Sequence, residues 1–530
     1  MPKPLFKRYK PKTDLTGLDH IIIGSGVSGL TAALWLSRRG KKVAVLEQHY
    51  IPGGFTHSFS RKKGFKWDVG VHYVGNVDKE NPMRWLFNYL TNKKLDWEYM
   101  GDVYDVLYIG EDEYKFRAGR DAFRKQLIEY FPDEENTIDQ YLDLIDKCSK
   151  RANLFFFEKV FKPILQHTLG KVIRKRFYKY SQQTTKEVLE SITDNQRLIA
   201  VLCAQCGNYG LSPKYSSFAA HALVINHFID GGYYPVGGAE QIANYTIEHI
   251  IEQGGQVYVN ANVDEIVVKN NKVEGIKIQD RFIPCKSVIS TIGIKNTFQD
   301  LLPNQQLKTQ QKVNKAEYST GHMCLYVGLD KSSEELNLPK NNTWFFKTDD
   351  YDKMRENISL EKAPQEFAYI SFPSAKDPDW EKTNPGTSTI QALSIGHHEW
   401  FETYKDQPCM KREEAYQKLK KHFEEGMLET LYKLYPQIKG HVVLTEVSSP
   451  LSTEHYSKYK KGEIYGLAHT PERFNFEELR PESKIKGLRL AGQDITIVGV
   501  AGAMLSGILC STTILKWNSW KCFKEMGQFK

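Results

Sequence analysis

A glycine-rich turn between two short apolar runs restricts the fold of this chain more than any other feature. Residues 20–23 are apolar and lead into GSGVSG at 24–29, which is followed by a stretch with helical spacing and a second apolar run at 43–46. Strand, glycine turn, helix and strand in this order form a βαβ unit. In that context G-x-G-x-x-G predicts a dinucleotide-binding α/β domain.

Each residue of this turn has a physical reason for its identity. Gly24 allows the tight turn, Gly26 lets the backbone approach a pyrophosphate, and Gly29 allows the helix to pack closely on the strand. Ser25 and Ser28 lie in the same turn. There the amides and the positive dipole of the helix N-terminus favour a diphosphate. We predict that all five residues bind the dinucleotide.

An acidic residue and a glycine pair follow at the spacing that such a domain requires. Glu47 ends the second apolar run, 18 residues after Gly29. A carboxylate there accepts hydrogen bonds from ribose hydroxyls and argues against a ligand with a 2′-phosphate. Gln48 follows directly, and Gly53 and Gly54 come shortly after. We predict cofactor contacts for these residues as well.

The glycine pair resembles that of the FAD-binding family that includes amine oxidases, carotenoid desaturases and Rab GDP-dissociation inhibitors. This resemblance implies FAD, with the glycine pair beside the diphosphate and the backbone at Val263 against adenine. GQD at 492–494 resembles the second FAD motif of the family, which implies cofactor contacts for Gly492 and Asp494. The helix that follows would direct its N-terminus, near Val500, at the flavin and stabilise an anionic reduced ring.

No second glycine fingerprint opens a strand–helix unit, since the glycine pairs at 231–232 and 237–238 lack that context. The sequence therefore predicts no dedicated nicotinamide domain. It leaves open whether NAD(P)H or another external donor or acceptor exchanges electrons with the flavin.

Longer strings narrow the resemblance. They are VLEQHYIPGG (45–54), FKWDVGVHYVG (65–75), GGYYPVGGAEQIA (231–243), SSPLSTEHY (448–456), KGEIYG (461–466) and LAGQDITIVGVAGAMLSGILCS (490–511). They resemble the retinol saturase and carotenoid isomerase branch of the FAD-dependent phytoene desaturase family. That resemblance implies saturation, desaturation or cis–trans isomerisation at carbon–carbon double bonds of an apolar polyene or isoprenoid lipid. Gln48 and Phe55 depart from the usual residues and leave the subfamily open.

Saturation of a double bond also needs a proton donor near the receiving carbon. His72 and Tyr73 follow the glycine-pair segment and are the catalytic candidates, with Tyr209 and Tyr465 as weaker ones. The alternative is chemistry that depends mainly on the flavin and on the shape of the cavity.

Composition excludes several other classes. A net charge of +8 over 530 residues is too small to indicate nucleic-acid binding. The eight cysteines are irregularly spaced, which predicts no disulfide framework. One C-x-x-C pair at 203–206 lacks the second pair that a structural zinc site needs, so we predict no metal.

The element pattern predicts two interleaved domains. A Rossmann-like FAD-binding domain of the glutathione-reductase and amine-oxidase type would use 17–85, 226–300 and 480–518. An α+β substrate domain with a mixed sheet and a helical cap would use 86–225 and 301–479.

Within these domains we expect residues 1–17 to form a solvated arm, 84–200 to be mostly helical and 320–395 to form an antiparallel sheet. Residues 495–515 are uncharged and long enough to span a membrane. Because they are rich in Gly, Ser and Thr and follow the GQD motif, we expect a buried helix instead.

The segment 151–180 combines many aromatic residues with eight Lys or Arg against one Glu, a local charge of +7. Such a segment predicts helices that face an anionic membrane surface, and the alternative is a helical cap with a solvated basic face. The basic N-terminus lacks the apolar core of a secretion signal. We therefore expect an intracellular, peripheral membrane protein, of an oligomeric state that the sequence does not define.

Two other functions remain open at this point. An amine-oxidase-like flavoenzyme would have an aromatic cage for a polar amine. A non-catalytic lipid escort of the GDP-dissociation-inhibitor type would have eroded cofactor motifs, whereas the glycines, Glu47 and Asp494 are intact here.

Overall fold

A six-stranded parallel sheet forms the first layer of the molecule, whose computed structural model describes residues 5–303 and 308–530. From one edge to the other its strands are Lys7–Arg8, Gln256–Val259, Val43–Leu46, His20–Ile23, Val288–Ser290 and Leu488–Leu490. The central strands are buried along their whole length, as in parallel sheets covered on both faces. This sheet confirms the predicted dinucleotide-binding fold.

The helix after the glycine turn, Val27–Ser37, is buried at every position and packs against the helix Gly499–Leu515. The two helices lie so close that a Cβ on Gly507 would be 2.5 Å from the carbonyl oxygen of Ser28. Within the described residues, only Gly499–Phe529 is long and apolar enough to cross a membrane, by length and composition alone, and half of its apolar window is buried. The packing confirms the predicted buried helix.

A seven-stranded mixed sheet forms the second layer. Its order is Val442–Ser448, His322–Leu329, Ser388–Ile395, Phe367–Ser371, Asn342–Phe346, Val103–Ile109 and Asp112–Arg117. All neighbours are antiparallel except Asn342–Phe346 and Val103–Ile109, which are parallel. The antiparallel sheet predicted over 320–395 is confirmed, and strands from elsewhere in the chain extend it.

One prediction of local structure is confirmed with an exception, and one is wrong. Residues 84–200 are mostly helical, as predicted, and the main exception is the hairpin of Val103–Ile109 and Asp112–Arg117, whose Leu107, Ile109 and Phe116 pack into the core. The N-terminal segment is not a free arm, because Lys7–Arg8 pairs with Gln256–Val259 and Leu15 is 1% exposed. Residues 1–4 of the predicted arm lie outside the described part.

Three small sheets complete the strands: Glu265–Lys269, Lys272–Ile278 and Arg281–Pro284; Ser58–Ser60 and Lys66–Asp68; and Trp97–Tyr99 and Tyr233–Pro235. The α-helices are Val27–Ser37, Pro82–Thr91, Arg120–Tyr130, Glu135–Glu158, Pro163–Leu165, Lys171–Ser181, Thr185–Glu190, Gln196–Cys203, Phe218–Phe228, Glu240–Glu252, Ile294–Gln299, Lys308–Lys315, Tyr351–Glu356, Ala363–Glu366, Pro373–Lys376, Trp380–Thr383, Glu414–Leu434, Pro450–Ser457, Pro471–Phe474, Gly499–Leu515 and Ser519–Met526.

The strands of the first sheet come from the chain segments predicted for the FAD-binding domain, apart from Lys7–Arg8. The second sheet uses only residues from the segments predicted for the substrate domain. Helices between residues 120 and 228 pack together over one shared core cluster, as a helical cap requires. The exact domain boundaries stay a prediction.

Candidate active site

A cavity of about 1280 Å³ is lined by residues from both large sheets and from the glycine turn. The predicted cofactor residues on its wall are Gly24, Gly26, Ser28, Glu47, Gln48, Gly53, Gly54, Val263, Gly492 and Val500. Ser25, Gly29 and Asp494 are not on the wall. The structure therefore brings together most of the residues predicted from separate parts of the sequence.

The three glycines of the turn differ in their surroundings. Gly24 has a φ of +98°, which favours glycine. A Cβ on Gly29 would lie 2.2 Å from the carbonyl oxygen of Gly24, so this glycine serves helix–strand packing. A Cβ on Gly26 would meet no protein atom within 4 Å, although Gly26 lies on the cavity wall. The open space in front of Gly26 is the approach that a diphosphate needs.

Glu47 is held in place by the turn. Its Oε2 accepts hydrogen bonds from the amide (2.9 Å) and hydroxyl (2.6 Å) of Ser25, and its Oε1 accepts one from the amide of His49 (2.8 Å). The Ser25 hydroxyl also accepts a hydrogen bond from the amide of Gly53 at 3.0 Å. Ser25 therefore acts from behind the cavity wall, where it joins the glycine turn, the ribose-binding carboxylate and the glycine pair.

Ser28 lies on the cavity wall in the first turn of the helix Val27–Ser37. Its Oγ is buried and has no hydrogen-bond partner among the described residues, so the cavity side of this residue is its backbone at the helix N-terminus, where anions bind. At the other end of the dinucleotide cleft, Val500 lies in the first turn of the helix Gly499–Leu515, on the cavity wall.

Asp494 is placed differently from the sequence expectation. Its carboxylate is 3% exposed and accepts hydrogen bonds from the amides of Ile294 and Leu467, both at 2.8 Å. Because both oxygens bind loops and the residue is off the cavity wall, the expected direct contact with the cofactor is not supported. Asp494 holds together two loops that support the wall at Ile292 and Tyr465.

Sequence reasoning missed the loop after the strand Val288–Ser290. Thr291, Ile292 and Asn296 line the cavity, and Thr291 donates a hydrogen bond to the carbonyl of Ile23 at 2.9 Å. The position of this loop could have been predicted, because it follows a buried strand of the parallel sheet and ligands of open α/β sheets bind at the carboxyl ends of such strands.

Beyond the dinucleotide cleft, the cavity has a second part that we call the aromatic lobe. It is lined by His72, Tyr369, Trp344, Phe367, Phe346 and Tyr351. In that order, successive rings are separated by 5.4, 4.5, 6.3, 5.0 and 4.1 Å between centroids. The lobe begins beside the glycine pair, because Gly70, two residues before His72, packs against Phe55. A continuous apolar wall therefore leads away from the cofactor region.

His72 lies at the cofactor end of this lobe. Its Nδ1 is buried without a partner in the described chain, and burial, with help from Lys376 and His322, lowers the pKa of the ring to about 3. His322, which sequence reasoning missed, lines the same cavity, and burial lowers its pKa to about 4. Both rings are neutral at neutral pH, so neither stores a proton for the reaction.

Tyr73 does not line the cavity. Its hydroxyl donates to Asp105 at 3.2 Å and accepts a hydrogen bond from Asn208 at 2.9 Å, while its ring stacks on Phe228 at 4.0 Å. This placement does not support its expected role as a proton donor to substrate. Of the weaker candidates, Tyr465 lines the cavity and donates to the carbonyl of Gly207 at 2.9 Å. Tyr209 is fully buried and off the wall.

A buried polar network connects Tyr73 to the backbone of His72. Asp105, bonded by Tyr73, also accepts a hydrogen bond from Asn342 at 3.0 Å, and the amide oxygen of Asn342 accepts one from Lys376. The Lys376 ammonium donates in turn to the carbonyl of His72 at 3.0 Å. Burial raises the pKa of Asp105 to about 6 and lowers the pKa of Lys376 to about 7. The network positions His72 on the cavity wall.

A third part of the cavity, the basic lobe, lies near Tyr416. Arg412 and Lys420 lie 5.1 and 5.9 Å from the centre of the Tyr416 ring, and both line the cavity. Arg61, also on the wall, makes a two-pronged contact with Glu446 at 2.6 and 2.7 Å.

These features fit FAD. Gly26 leaves room for a diphosphate beside the N-terminus of the helix Val27–Ser37, and Glu47 is set for a ribose. When bound, FAD supplies hydride exchange with a substrate lying against its ring.

Comparison with known proteins agrees with this assignment. The family described as "Flavin containing amine oxidoreductase" matches residues 27–515. All-trans-retinol 13,14-reductase of Danio rerio is 34% identical, over 94% of this chain and 86% of that protein. Prolycopene isomerase 1, chloroplastic, of an Oncidium hybrid cultivar is 24% identical, over 93% of this chain and 83% of that protein.

Among solved structures, cyclohexylamine oxidase from Brevibacterium oxydans IH-35A has a TM-score of 0.62 and 14% identity, over 96% of this chain and 99% of that chain. This likeness shows the fold. Since the family match extends over nearly the whole sequence and the cavity fits the cofactor, the chain belongs to the flavin-containing amine oxidoreductase family, with FAD as its cofactor.

Proposed function

We propose that this protein is an FAD-dependent reductase of a carbon–carbon double bond in an apolar polyene, with cis–trans isomerisation or desaturation of such a chain as the alternative outcomes. The observation that carries the proposal is the aromatic lobe, which joins the dinucleotide cleft at His72 and is walled by successive rings. Reduction is preferred because the relative named as a retinol reductase is more similar than the one named as an isomerase.

The residues of the lobe have three tasks in this proposal. The rings of Trp344 and Tyr369 hold the polyene by apolar contact and exclude water. The network from Asp105 to Lys376 fixes the backbone of His72, so the imidazole stays at the cofactor end. A neutral imidazole carries one N–H donor and one lone pair. His72 therefore orients the chain or passes a proton on from another donor.

The test is anaerobic incubation of the reduced protein with all-trans-retinol and with a poly-cis carotene, followed by chromatography and mass spectrometry. We expect a product two hydrogens heavier than retinol, formed together with reoxidation of the flavin. Isomerised carotene without reoxidation would select the isomerase alternative. Peroxide formation with amines, and no change in either polyene, would contradict the proposal in favour of an amine oxidase.

A variant pair tests the role of His72. We expect His72→Ala to lower turnover while FAD stays bound. The comparison variant Tyr73→Phe lies off the wall, so it should affect stability more than the chemical step. Full turnover of His72→Ala would remove His72 from the proposal.

We also propose that the protein attaches to an anionic membrane surface, where apolar polyenes dissolve. Part of the segment 151–180 is buried: Arg174 pairs with Glu158, and Lys159 donates to the carbonyl of Leu479. The exposed remainder includes an apolar patch made of Leu154, Phe157, Ile164, Leu165, Leu169 and Val172, with Ile164 79% exposed.

The same segment carries exposed cations near these apolar residues in sequence, namely Arg151, Lys162, Lys171, Lys175, Arg176 and Lys179. Large exposed apolar side chains among exposed cations favour an interface that is both apolar and anionic. The supporting experiment is co-sedimentation with vesicles containing phosphatidylserine.

Binding to these vesicles should weaken for Ile164→Ser combined with Leu165→Ser, and separately for Lys175→Glu combined with Arg176→Glu. The control Val443→Ser changes an exposed apolar residue on another element. Unchanged binding of both double variants would contradict the attachment proposal. Arg174 is unsuitable for charge reversal because it is buried in an ion pair.

A further inference from the structure

The far end of the aromatic lobe, away from His72, carries an arginine that forms no ion pair with any described residue. Tyr351 is the last ring of the lobe and begins the helix Tyr351–Glu356. Arg355 lies four residues later, on the same face of that helix, and also lines the cavity.

The guanidinium of Arg355 uses little of its bonding capacity. Its Nη1 donates to the carbonyl of Gly210 at 3.1 Å, and within the described chain this is the only hydrogen bond of the side chain. No carboxylate of the described residues forms an ion pair with it, and Glu317 and Asp352 raise its pKa only through longer-range attraction. Asp352 is instead bonded by Lys186 at 3.2 Å and by the amide of Lys214 at 3.0 Å.

Burial of this cation has an energetic cost. Loss of water around the side chain lowers the pKa of Arg355, which nevertheless keeps its charge at neutral pH. The Arg355 side chain is half-buried, and its guanidinium has five N–H donors in a planar fork. It is normally satisfied by a carboxylate or phosphate that accepts two of them. Arg355 lines the cavity together with Tyr351, Phe346 and Met354, and none of these residues offers it a carboxylate.

We infer that Arg355 anchors the terminal carboxylate of an unsaturated chain whose body lies along the aromatic lobe toward His72. The inference rests on the proposed function for the position of the chain, and it specifies the substrate class as a polyenoic acid. Trp344 and Tyr369 would then contact the conjugated part, and the carboxylate would be the group furthest from the cofactor.

The experiment measures equilibrium binding of all-trans-retinoate and of all-trans-retinol to the FAD-loaded protein. The signal is the quenching of tryptophan fluorescence by the bound ligand. We expect retinoate to bind more tightly than retinol. Arg355→Met should weaken retinoate binding by about 10- to 100-fold, because two charge-assisted hydrogen bonds are lost, and should change retinol binding far less. Arg355→Lys should retain part of the retinoate affinity.

Two control variants test whether the effect is specific to Arg355. Lys353→Met removes the same charge from an exposed position of the same helix, and it should leave both affinities unchanged. Arg412→Met tests the basic lobe, so loss of retinoate affinity in that variant, with none in Arg355→Met, would overturn the inference. Equal weakening of both ligands in Arg355→Met would overturn it as well, since that pattern indicates damage to the lobe. Thermal unfolding identifies any variant that fails to fold, and Arg355→Lys then replaces Arg355→Met.

The outcome is separable from that of the proposed function. If retinol is reduced but retinoate binding is independent of Arg355, the anchor is wrong and the function stands. If neither polyene reacts but retinoate binding depends on Arg355, the anchor stands and the proposed reaction is wrong.

Discussion

Two glycines of the same turn should respond in opposite ways to one added methyl group. Gly26 and Gly29 are three residues apart, but a Cβ on Gly26 would meet no protein atom within 4 Å. A Cβ on Gly29 would lie 2.2 Å from the Gly24 carbonyl oxygen and 3.1 Å from Thr291 Oγ1. The variants Gly26→Ala and Gly29→Ala therefore separate cofactor binding from folding.

The magnitudes follow from these surroundings. In Gly29→Ala the new methyl group overlaps the carbonyl oxygen of Gly24, which is backbone and cannot rotate away. Overpacking of this kind lowers the unfolding free energy by about 1–3 kcal/mol or more. Gly26 has a φ of −59°, which alanine adopts readily, so Gly26→Ala costs the folded apoprotein only the N-cap preference of glycine over alanine, ~0.5–1 kcal/mol. Its methyl group, however, fills the approach of the diphosphate. Loss of one hydrogen bond to a charged phosphate costs about 1.5–3 kcal/mol, roughly a 10- to 150-fold weaker affinity for FAD.

The assay uses apoprotein freed of flavin and has two readouts. Urea unfolding is monitored by circular dichroism, and FAD binding is monitored by the quenching of flavin fluorescence during a titration. We expect Gly26→Ala to unfold nearly as the wild type but to bind FAD weakly, and Gly29→Ala to unfold at clearly lower urea. Wild-type FAD affinity in Gly26→Ala would refute the reasoning, as would equal destabilisation of the two variants.

Two further predictions concern buried charges near the site. Asp494→Asn should lower the unfolding free energy of the apoprotein by about 1–3 kcal/mol, because the new side-chain NH₂ would face the backbone amide of Ile294 or Leu467. The affinity for FAD should change little. Weakened FAD binding in a fully stable apoprotein would instead support the direct contact that the sequence predicted. The pKa of Lys376 is about 7 in the folded protein and 10.5 when unfolded, so above pH 7 the unfolded chain binds the extra proton and stability rises with pH. Urea unfolding of the wild type and of Lys376→Met between pH 7.5 and 9.5, where Asp105 is ionised in both proteins, measures this effect. The unfolding free energy of the wild type should rise relative to that of the variant by up to about 1.4 kcal/mol per pH unit. A difference that does not change with pH would show that Lys376 is not buried as described.

Features that depend on neighbouring residues were predictable from the sequence. The turn around Gly24 and Gly26, the carboxylate Glu47 and the buried helix Gly499–Leu515 each have a local pattern that a single physical requirement explains. Gly29 was predicted both to bind the cofactor and to allow helix packing; the structure shows the packing and places Gly29 off the cavity wall. Asp494 was identified as important, but its partners were not, because Ile294 and Leu467 are distant in sequence and bind it through backbone amides.

Features that depend on distant pairing were not predictable. The strand Val103–Ile109 pairs in parallel with Asn342–Phe346, so Asp105 lies opposite a residue 237 positions later. No local pattern encodes that register, and interleaved charges favoured a helix. Likewise, Arg174 was counted among surface cations, although its charge is neutralised by Glu158 inside the cap.

Most of the aromatic lobe was missed for the same reason, namely that its residues come together only through pairing of distant strands. Trp344 and Tyr369 lie on strands that are buried on both faces, so the alternation of side chains does not show which face meets the cavity. His72 was found because it belongs to a motif string, whereas His322 on the neighbouring sheet belongs to none. Sequence strings thus located the cofactor end of the cavity, and only the structure located the substrate end.

The two ends of the lobe have different electrostatics, and this difference bears on substrate choice. At the cofactor end, His72 and His322 are neutral because burial lowers both of their pKa values, so a hydrocarbon segment meets no charge there. At the far end, Arg355 is charged and lacks a close counter-ion in the described chain. A pure hydrocarbon that filled the lobe would remove the remaining water from this half-buried guanidinium and offer no acceptor in return, which is unfavourable for a charged group. If the lobe holds the substrate, a carotene should therefore bind more weakly than a chain of similar apolar length that ends in oxygen, and the oxygen should point away from the flavin.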